Sequence, residues 1–265
     1  MTNLTFVKGY RDSEELDPVS QAILEVGSGT SIFDPVLCEI AYRWFCPPGG
    51  TVLDPFAGGS VRGIVASRLG LRYVGIELRP EQVAANVAQL HLADGLKPEW
   101  RQGDAREIAR LAGDIEADLI FSCPPYWNLE RYSDDPADLS NMDRDDFFSA
   151  YVEVIRGAVE RLRPDRFAVW VVGDVRDDDG GYVNLPGRTV EDFEAAGARF
   201  YNDAILVTAV GSLPVRVGRQ FEASRKLGRT HQNVMVFVKG DPRRATKVCG
   251  QVEFGDIEPA AEGEF

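Results

Sequence analysis

Apolar positions along the chain follow two alternating rhythms: short continuous runs closed by an acid or a glycine turn, and longer stretches with apolar residues every three or four positions. The segment GGTVLDPFAGGSVRGIVASRLG reads as a strand over Thr51 to Asp54, a glycine-rich turn, and a helix with Val61, Ile64, Val65 and Leu69 on one face. LRYVGIELRPEQVAANVAQLHLA repeats the scheme, with a strand ending at Glu77 and Pro80 in the first turn of a helix, where a missing N–H is tolerated. EWRQGDAREIARL predicts a third strand ending near Asp104, ADLIFSCPPY a fourth, and DDFFSAYVEVIRGAVERLRP a strongly periodic helix. RFAVWVVGDV is the fifth strand and PGRTVEDFEAAG a further helix. RFYNDAILVTAV and QNVMVFVKG are the last two strands, with no helix predicted between them. Strands alternating with helices imply an α/β fold, a doubly wound, mostly parallel seven-stranded sheet, because a parallel connection needs a crossover. The last two strands are expected to pair antiparallel at one edge.

At 265 residues and 44% hydrophobic, the chain suits one large core. We expect a single domain over 1–240, with an N-terminal arm (1–30), a pocket loop (127–145) and a basic loop (211–232), followed by an acidic flexible tail over 241–265. No long apolar run and no signal-peptide pattern is present, so no membrane partner and a cytoplasmic location are expected. Four scattered cysteines and two histidines do not make a metal site or a disulfide framework. The net charge of -13 argues against coating nucleic acid through overall charge, so the location of positive charge matters more than the total.

In open α/β sheets ligands gather at the carboxyl ends of the strands, and the distinctive residues fall there. DPFAGGS (Asp54 to Ser60) follows the first strand, with glycines that let backbone approach a ligand. Glu77 ends the second strand, placed to accept from ribose hydroxyls, and Asp104 ends the third, placed to accept from a purine amino group. The loop is not G-x-x-x-x-G-K-S/T, which favours a nucleoside without a phosphate chain.

DPFAGGS followed by GIEL, GDA and then CPPY resembles the S-adenosylmethionine-dependent DNA methyltransferases that modify exocyclic amino groups, over residues 31 to about 240. CPPYWNLERYS, VVGDVRD and GSLPVR…ASRKLGRTHQNVMVF are more particularly similar to modification methylases of phages and prophages. The resemblance implies a Rossmann-like methyltransferase fold, S-adenosylmethionine as cofactor, double-stranded DNA with a flipped target base as substrate, and a bacterial or phage-infected cell. The alternative readings are an RNA base methyltransferase and a cofactor-binding regulatory module without catalysis. It places Asp54, Phe56, Ala57, Gly58 and Gly59 around the methionine part of the cofactor, Glu77 on its ribose, Leu78 on its adenine and Asp104 on the adenine amino group. Ser31 and Phe33 would close the methionine end.

The tetrapeptide Cys123, Pro124, Pro125, Tyr126 would form the catalytic pocket. The prolines turn a backbone carbonyl into the pocket rather than into a ladder, and Tyr126 offers a flat face for an extruded base. Cys123 departs from the family's Asp, Asn or Ser and is a weaker acceptor. Its near-isostery with Ser leans toward cytosine N4, with adenine N6 left open. Covalent attack by the thiol is the lesser reading, since the carbon-5 enzymes carry their cysteine after the proline.

Residues 211 to 232 hold Arg216, Arg219, Arg225, Lys226 and Arg229 against one acid, Glu222, a local reversal of sign that suits phosphate contacts. Trp127 and Arg131, directly after the pocket, are the other candidate DNA contacts. No stretch is left for a large recognition domain, so specificity is expected to be short, weak, or delegated to a homodimer or a partner.

Overall fold

The computed structural model describes residues 33–207 and 213–252, with the side chains of 213–216 excepted. In chain order these form α1 (Pro35–Phe45), β1 (Thr51–Asp54), α2 (Val61–Arg68), β2 (Arg72–Glu77), α3 (Pro80–Ala88), β3 (Glu99–Gln102), α4 (Ile108–Leu111), β4 (Ala117–Ser122) and α5 (Arg144–Arg161). They continue with β5 (Leu162–Val172), α6 (Leu185–Ala195), β6 (Arg199–Val207), α7 (Leu213–Ser224), β7 (His231–Lys239) and α8 (Pro242–Cys249).

The strands form one sheet in the order β3-β2-β1-β4-β5-β7-β6. β1 to β5 are parallel, and β7 runs antiparallel to both β5 and β6. The expected antiparallel pairing at that side is present, with the reversed strand lying second from the edge. Strand order reverses between β1 and β4, so the crevice that such a reversal opens lies at Asp54 and Ser122.

The period of two in the inner strands sorts the core into two layers. Ala168, Trp170 and Val172 of β5, with Met235 and Phe237 of β7, join the layer under α5 and α6. Phe167, Val169 and Val171, with Val234, Val236 and Val238, join the layer that holds Cys38, Ala41 and Tyr42 of α1. Local chemistry sets the helix starts. Asp34 accepts from the Val36 and Leu37 amides at 2.8 and 3.3 Å, with Pro35 opening α1. Asp143 accepts from Asp146 at 2.9 Å to open α5, whose first turn is acidic and whose last carries Arg161.

Two expectations are corrected. The basic connection 211–232 is not a loop throughout: α7 occupies Leu213–Ser224, with Pro214 in its first turn. The stretch from Asp241 is not a mobile tail at its start, because Asp241 accepts from the Arg243 and Arg244 amides and opens α8, which buries Ala245 and Cys249. Residues 253–265, like the arm 1–30, lie outside the described residues. Among the described residues, no helix is long and apolar enough to cross a membrane.

Candidate active site

The end of β1 is built around a buried carboxylate. Asp54 has no exposed surface. Its Oδ1 accepts from the Ser122 hydroxyl at 2.6 Å and the Phe56 amide at 3.1 Å, and its Oδ2 from Arg62 Nε at 2.6 Å and the Tyr73 hydroxyl at 2.8 Å. Arg62, in the first turn of α2 and 4% exposed, also donates to the carbonyls of Phe56 and Ala57 at 2.6 and 2.9 Å and lies 4.5 Å over the Phe33 ring. Burial works against its charge, and the adjacent Asp54 more than offsets this, holding the guanidinium above the usual arginine range. The hub ties β1, β2, α2 and the end of β4 together. Asp54, which the resemblance places around the methionine part of the cofactor, is enclosed by four donors and holds the shape of the glycine loop.

That loop is pinned from below and open above. The Ala57 amide donates to the Ile76 carbonyl at 2.9 Å, and Gly75 leaves room for this, since a Cβ there would come within 2.7 Å of the Ala57 Cβ. Gly58, at φ +52°, donates to Glu77 Oε2 at 2.9 Å and accepts from Asn86 Nδ2 at 2.7 Å. A Cβ built on Gly58 or Gly59 meets nothing within 4 Å, so the outer face of the turn is accessible to a ligand.

Glu77, 8% exposed, also accepts from the Arg79 amide at 2.9 Å. Burial raises its pKa, with the Arg79 and Gly58 contacts pulling the other way. Leu78 follows, half-buried. Asp104 accepts from the Arg106 amide at 2.9 Å and pairs with its guanidinium at 2.6 Å. Acceptors at two neighbouring strand ends beside an open glycine turn suit a ligand with hydroxyl and amino donors.

The proline tetrapeptide leaves β4 next to this loop, and Ser122 joins the two, since its Oγ also accepts from the Phe56 amide at 3.2 Å. Cys123 Sγ lies 3.4 Å from the Tyr126 hydroxyl, which donates to the Val171 carbonyl at 3.4 Å. Burial pushes the Cys123 thiol up from its ordinary value, so it is protonated near neutral pH. That disfavours both an anionic acceptor and covalent attack. The Tyr126 ring rests on Gly173, where a Cβ would approach its Cε2 to 3.1 Å. Trp127 takes a left-handed conformation, φ +49°, and turns inward, donating to the Met142 carbonyl at 3.2 Å.

The predicted DNA contacts distribute along the same rim. Arg131 is exposed and pairs with Asp134 at 2.7 Å. β6 runs parallel to β5, so the β6–β7 connection also emerges at the carboxyl ends. There Arg219 lies exposed on α7, and Arg225 sits over the Phe221 ring at 4.9 Å. Arg229 donates to the His231 carbonyl at 3.2 Å and to Asn233 Oδ1 at 2.9 Å. Lys226 lies beside Gly180. Arg216 falls on α7 with its side chain outside the described residues, as is Ser31. Arg62, Tyr73 and Asn86 escaped the sequence reading, and Ser122 was read only as a possible stand-in acceptor for Cys123. The one signal for Arg62 is a helix face of small residues, Gly63, Ala66 and Ser67, around an arginine that must then be buried.

Comparison with known proteins bears on the glycine turn, which lies inside the matched span. Residues 39–88 match the family model described as DNA methylase, of the N6/N4 type. This span resembles the N6/N4 DNA methylases. Over 80 residues the chain is 32% identical to DNA adenine methyltransferase YhdJ of Escherichia coli (strain K12), a match covering 28% of this chain and 27% of that protein. The chain thus matches about a quarter of the length of this curated relative.

Among solved structures, TrmN from Thermus thermophilus superposes with a TM-score of 0.54 at 17% identity, over 83% of this chain and 53% of that one. A proposed S-adenosylmethionine dependent methyltransferase from Listeria monocytogenes gives 0.50 at 12% identity, over 78% of this chain and 97% of that one. At these identities the likeness is one of fold, and the fold is the Rossmann-like one of methyltransferases.

Proposed function

We propose that the protein is an S-adenosylmethionine-dependent DNA methyltransferase acting on the exocyclic amino group of a flipped base, cytosine N4 or adenine N6. The observation that carries this reading is the Ser122 bridge: one hydroxyl, bonded to Asp54 and to the Phe56 amide, locks the glycine turn beside the proline tetrapeptide. A donor site and an acceptor site for a planar amino group are thereby held at adjacent strand ends. The match of residues 39–88 and the likeness to YhdJ support DNA as the acceptor.

Bound S-adenosylmethionine would supply an electrophilic methyl group on a sulfonium. Gly58 and Gly59 offer it the open face of their turn, with Phe56 and Ala57 completing the loop, while Glu77, Leu78 and Asp104 hold the nucleoside part. The residues of the tetrapeptide orient the acceptor. An exocyclic amino nitrogen is a poor nucleophile because its lone pair is delocalised into the ring. A backbone carbonyl turned inward by Pro124 and Pro125, with the Cys123 sulfur as a weak second acceptor, accepts from the amino N–H groups and favours a pyramidal nitrogen. Tyr126, fixed against Gly173, provides the ring on which the target base stacks. The likeness of residues 123–133 and 211–237 to phage and prophage methylases supports a modification role.

The test is incubation of purified protein with S-adenosylmethionine and unmethylated DNA of mixed sequence, followed by nucleoside mass spectrometry. N4-methylcytosine or N6-methyladenine is the expected product. Neither mark, with cofactor binding confirmed by calorimetry, would overturn DNA as the acceptor.

A further inference from the structure

A hairpin after β5 lies on the same rim, and the reading above makes no use of it. Arg176 and Tyr182 form an antiparallel bridge, the Val183 amide donates to the Val175 carbonyl at 3.0 Å, and Gly180 closes the turn at φ +87°. Tyr182 is 45% exposed although two arginines stand over its ring. The Arg176 guanidinium lies 3.9 Å from the centre of its ring and donates to the Gly180 carbonyl at 2.8 Å. Arg229 approaches the same ring to 6.0 Å. Lys226 lies over Gly180 so closely that a Cβ there would come within 2.6 Å of its Cε. The hairpin and the segment before β7 therefore converge.

Two further observations give this cluster a direction. First, many surface arginines of this acidic chain are held by carboxylates, as in Arg43 with Glu39, Arg101 with Asp114 and Arg163 with Glu116. Among the described residues, Arg176, Lys226 and Arg229 form no such ion pair. Arg176 and Arg229 are held by backbone carbonyls, an amide oxygen and an aromatic face, which position the charge without neutralising it, and Lys226 lies against Gly180. Second, the cluster is continuous with the pocket. A Cβ at Gly173 would meet both the Tyr126 ring and Gln232, and Gln232 precedes the Asn233 that Arg229 grips. Asp178 and Asp179, exposed at the tip of the hairpin, would repel phosphates there and limit the surface on its outer side.

We propose that Tyr182, Arg176, Lys226 and Arg229 form a platform for the DNA strand next to the target nucleotide, with the cations taking phosphates and the tyrosine ring taking a neighbouring base or sugar. The inference rests on the DNA methyltransferase reading and adds to it a surface with a stated partner. An aromatic ring flanked by preorganised cations suits a strand whose stacking is broken by extrusion of a base.

The experiment measures the KM for unmethylated DNA, and DNA affinity by fluorescence anisotropy across a salt series, for wild type, Tyr182→Ala, Arg176→Gln and Lys226→Gln. Tyr182→Ala is expected to raise the KM for DNA about tenfold, as loss of one stacking contact does. Arg176→Gln and Lys226→Gln should each lower the salt slope by about one. Cofactor affinity by calorimetry should stay within about twofold of wild type in all three. A KM and a salt slope unchanged in every variant, with wild type active, would overturn the platform alone. A wild type that methylates no DNA would overturn the reading on which it rests.

Discussion

The two halves of the candidate site hold their charges in opposite ways. On the cofactor side, Arg62 and Asp54 are buried together and every oxygen of the carboxylate is committed to a donor inside the protein. On the rim beyond Tyr126, the cations of Arg176, Arg225 and Arg229 lie over aromatic rings and carry no carboxylate partner among the described residues. A buried pair gains little net stability from its own attraction, because desolvation consumes most of it, yet it fixes geometry since neither partner can leave alone. Cations on rings retain their charge for an incoming polyanion. The first arrangement suits a loop that must keep one shape, and the second a surface that must accept a partner.

Breaking the buried pair should have the largest effect. Asp54→Ala leaves Arg62 buried and charged without a counterion and is expected to cost about 3–5 kcal/mol in urea unfolding, whereas Asp54→Ala combined with Arg62→Leu should cost less than the two single changes added. Additive costs would mean that the pair does not act as a unit. Next, Glu77→Ala should weaken cofactor binding about 10- to 100-fold by calorimetry, because it removes a charged acceptor from the open turn. Tyr126→Ala should lower turnover about tenfold or more, and Tyr126→Phe, which keeps the ring, should retain more activity than Tyr126→Ala. Equal losses would reject the stacking role.

The smallest effect lies away from both halves. Burial raises Asp192 on α6 to about 6, so the folded state holds a proton that the unfolded chain releases near 3.8. Stability should therefore fall as pH rises from about 4 to about 6, by about 1 kcal/mol for a half-buried group, and Asp192→Asn should flatten that slope in a pH series of thermal melts.

Much of the architecture was legible because the periodicities were clean. β1 and the end of β2 fall at the predicted residues, and β4 runs into the proline turn as expected. The misreadings share a cause. LPVRVGRQFEAS carries arginines and an internal glycine that mask a helical apolar stripe, and DPRRATKV opens with an Asp-Pro start signal inside a polar context. The site was legible as a set of loops and illegible as a network. Arg62 reads as one more polar residue in α2 until the fold carries Asp54, Phe56 and Ala57 against it. The cluster around Tyr182 joins residues nearly 50 positions apart, and no local pattern announces that meeting.

The place of β7 has a consequence for the order of assembly. Among the described residues, β6 pairs in the sheet only with β7, and β5 meets β6 only through it. A growing chain can thus build the sheet from β3 to β5 early, but β6 must wait unpaired, and the hydrophobic flank of β5 with it, until His231–Lys239 has been made. The strand that completes the rim of the proposed site is also the one that closes the sheet, so a molecule able to present that rim is one in which synthesis has already passed β7.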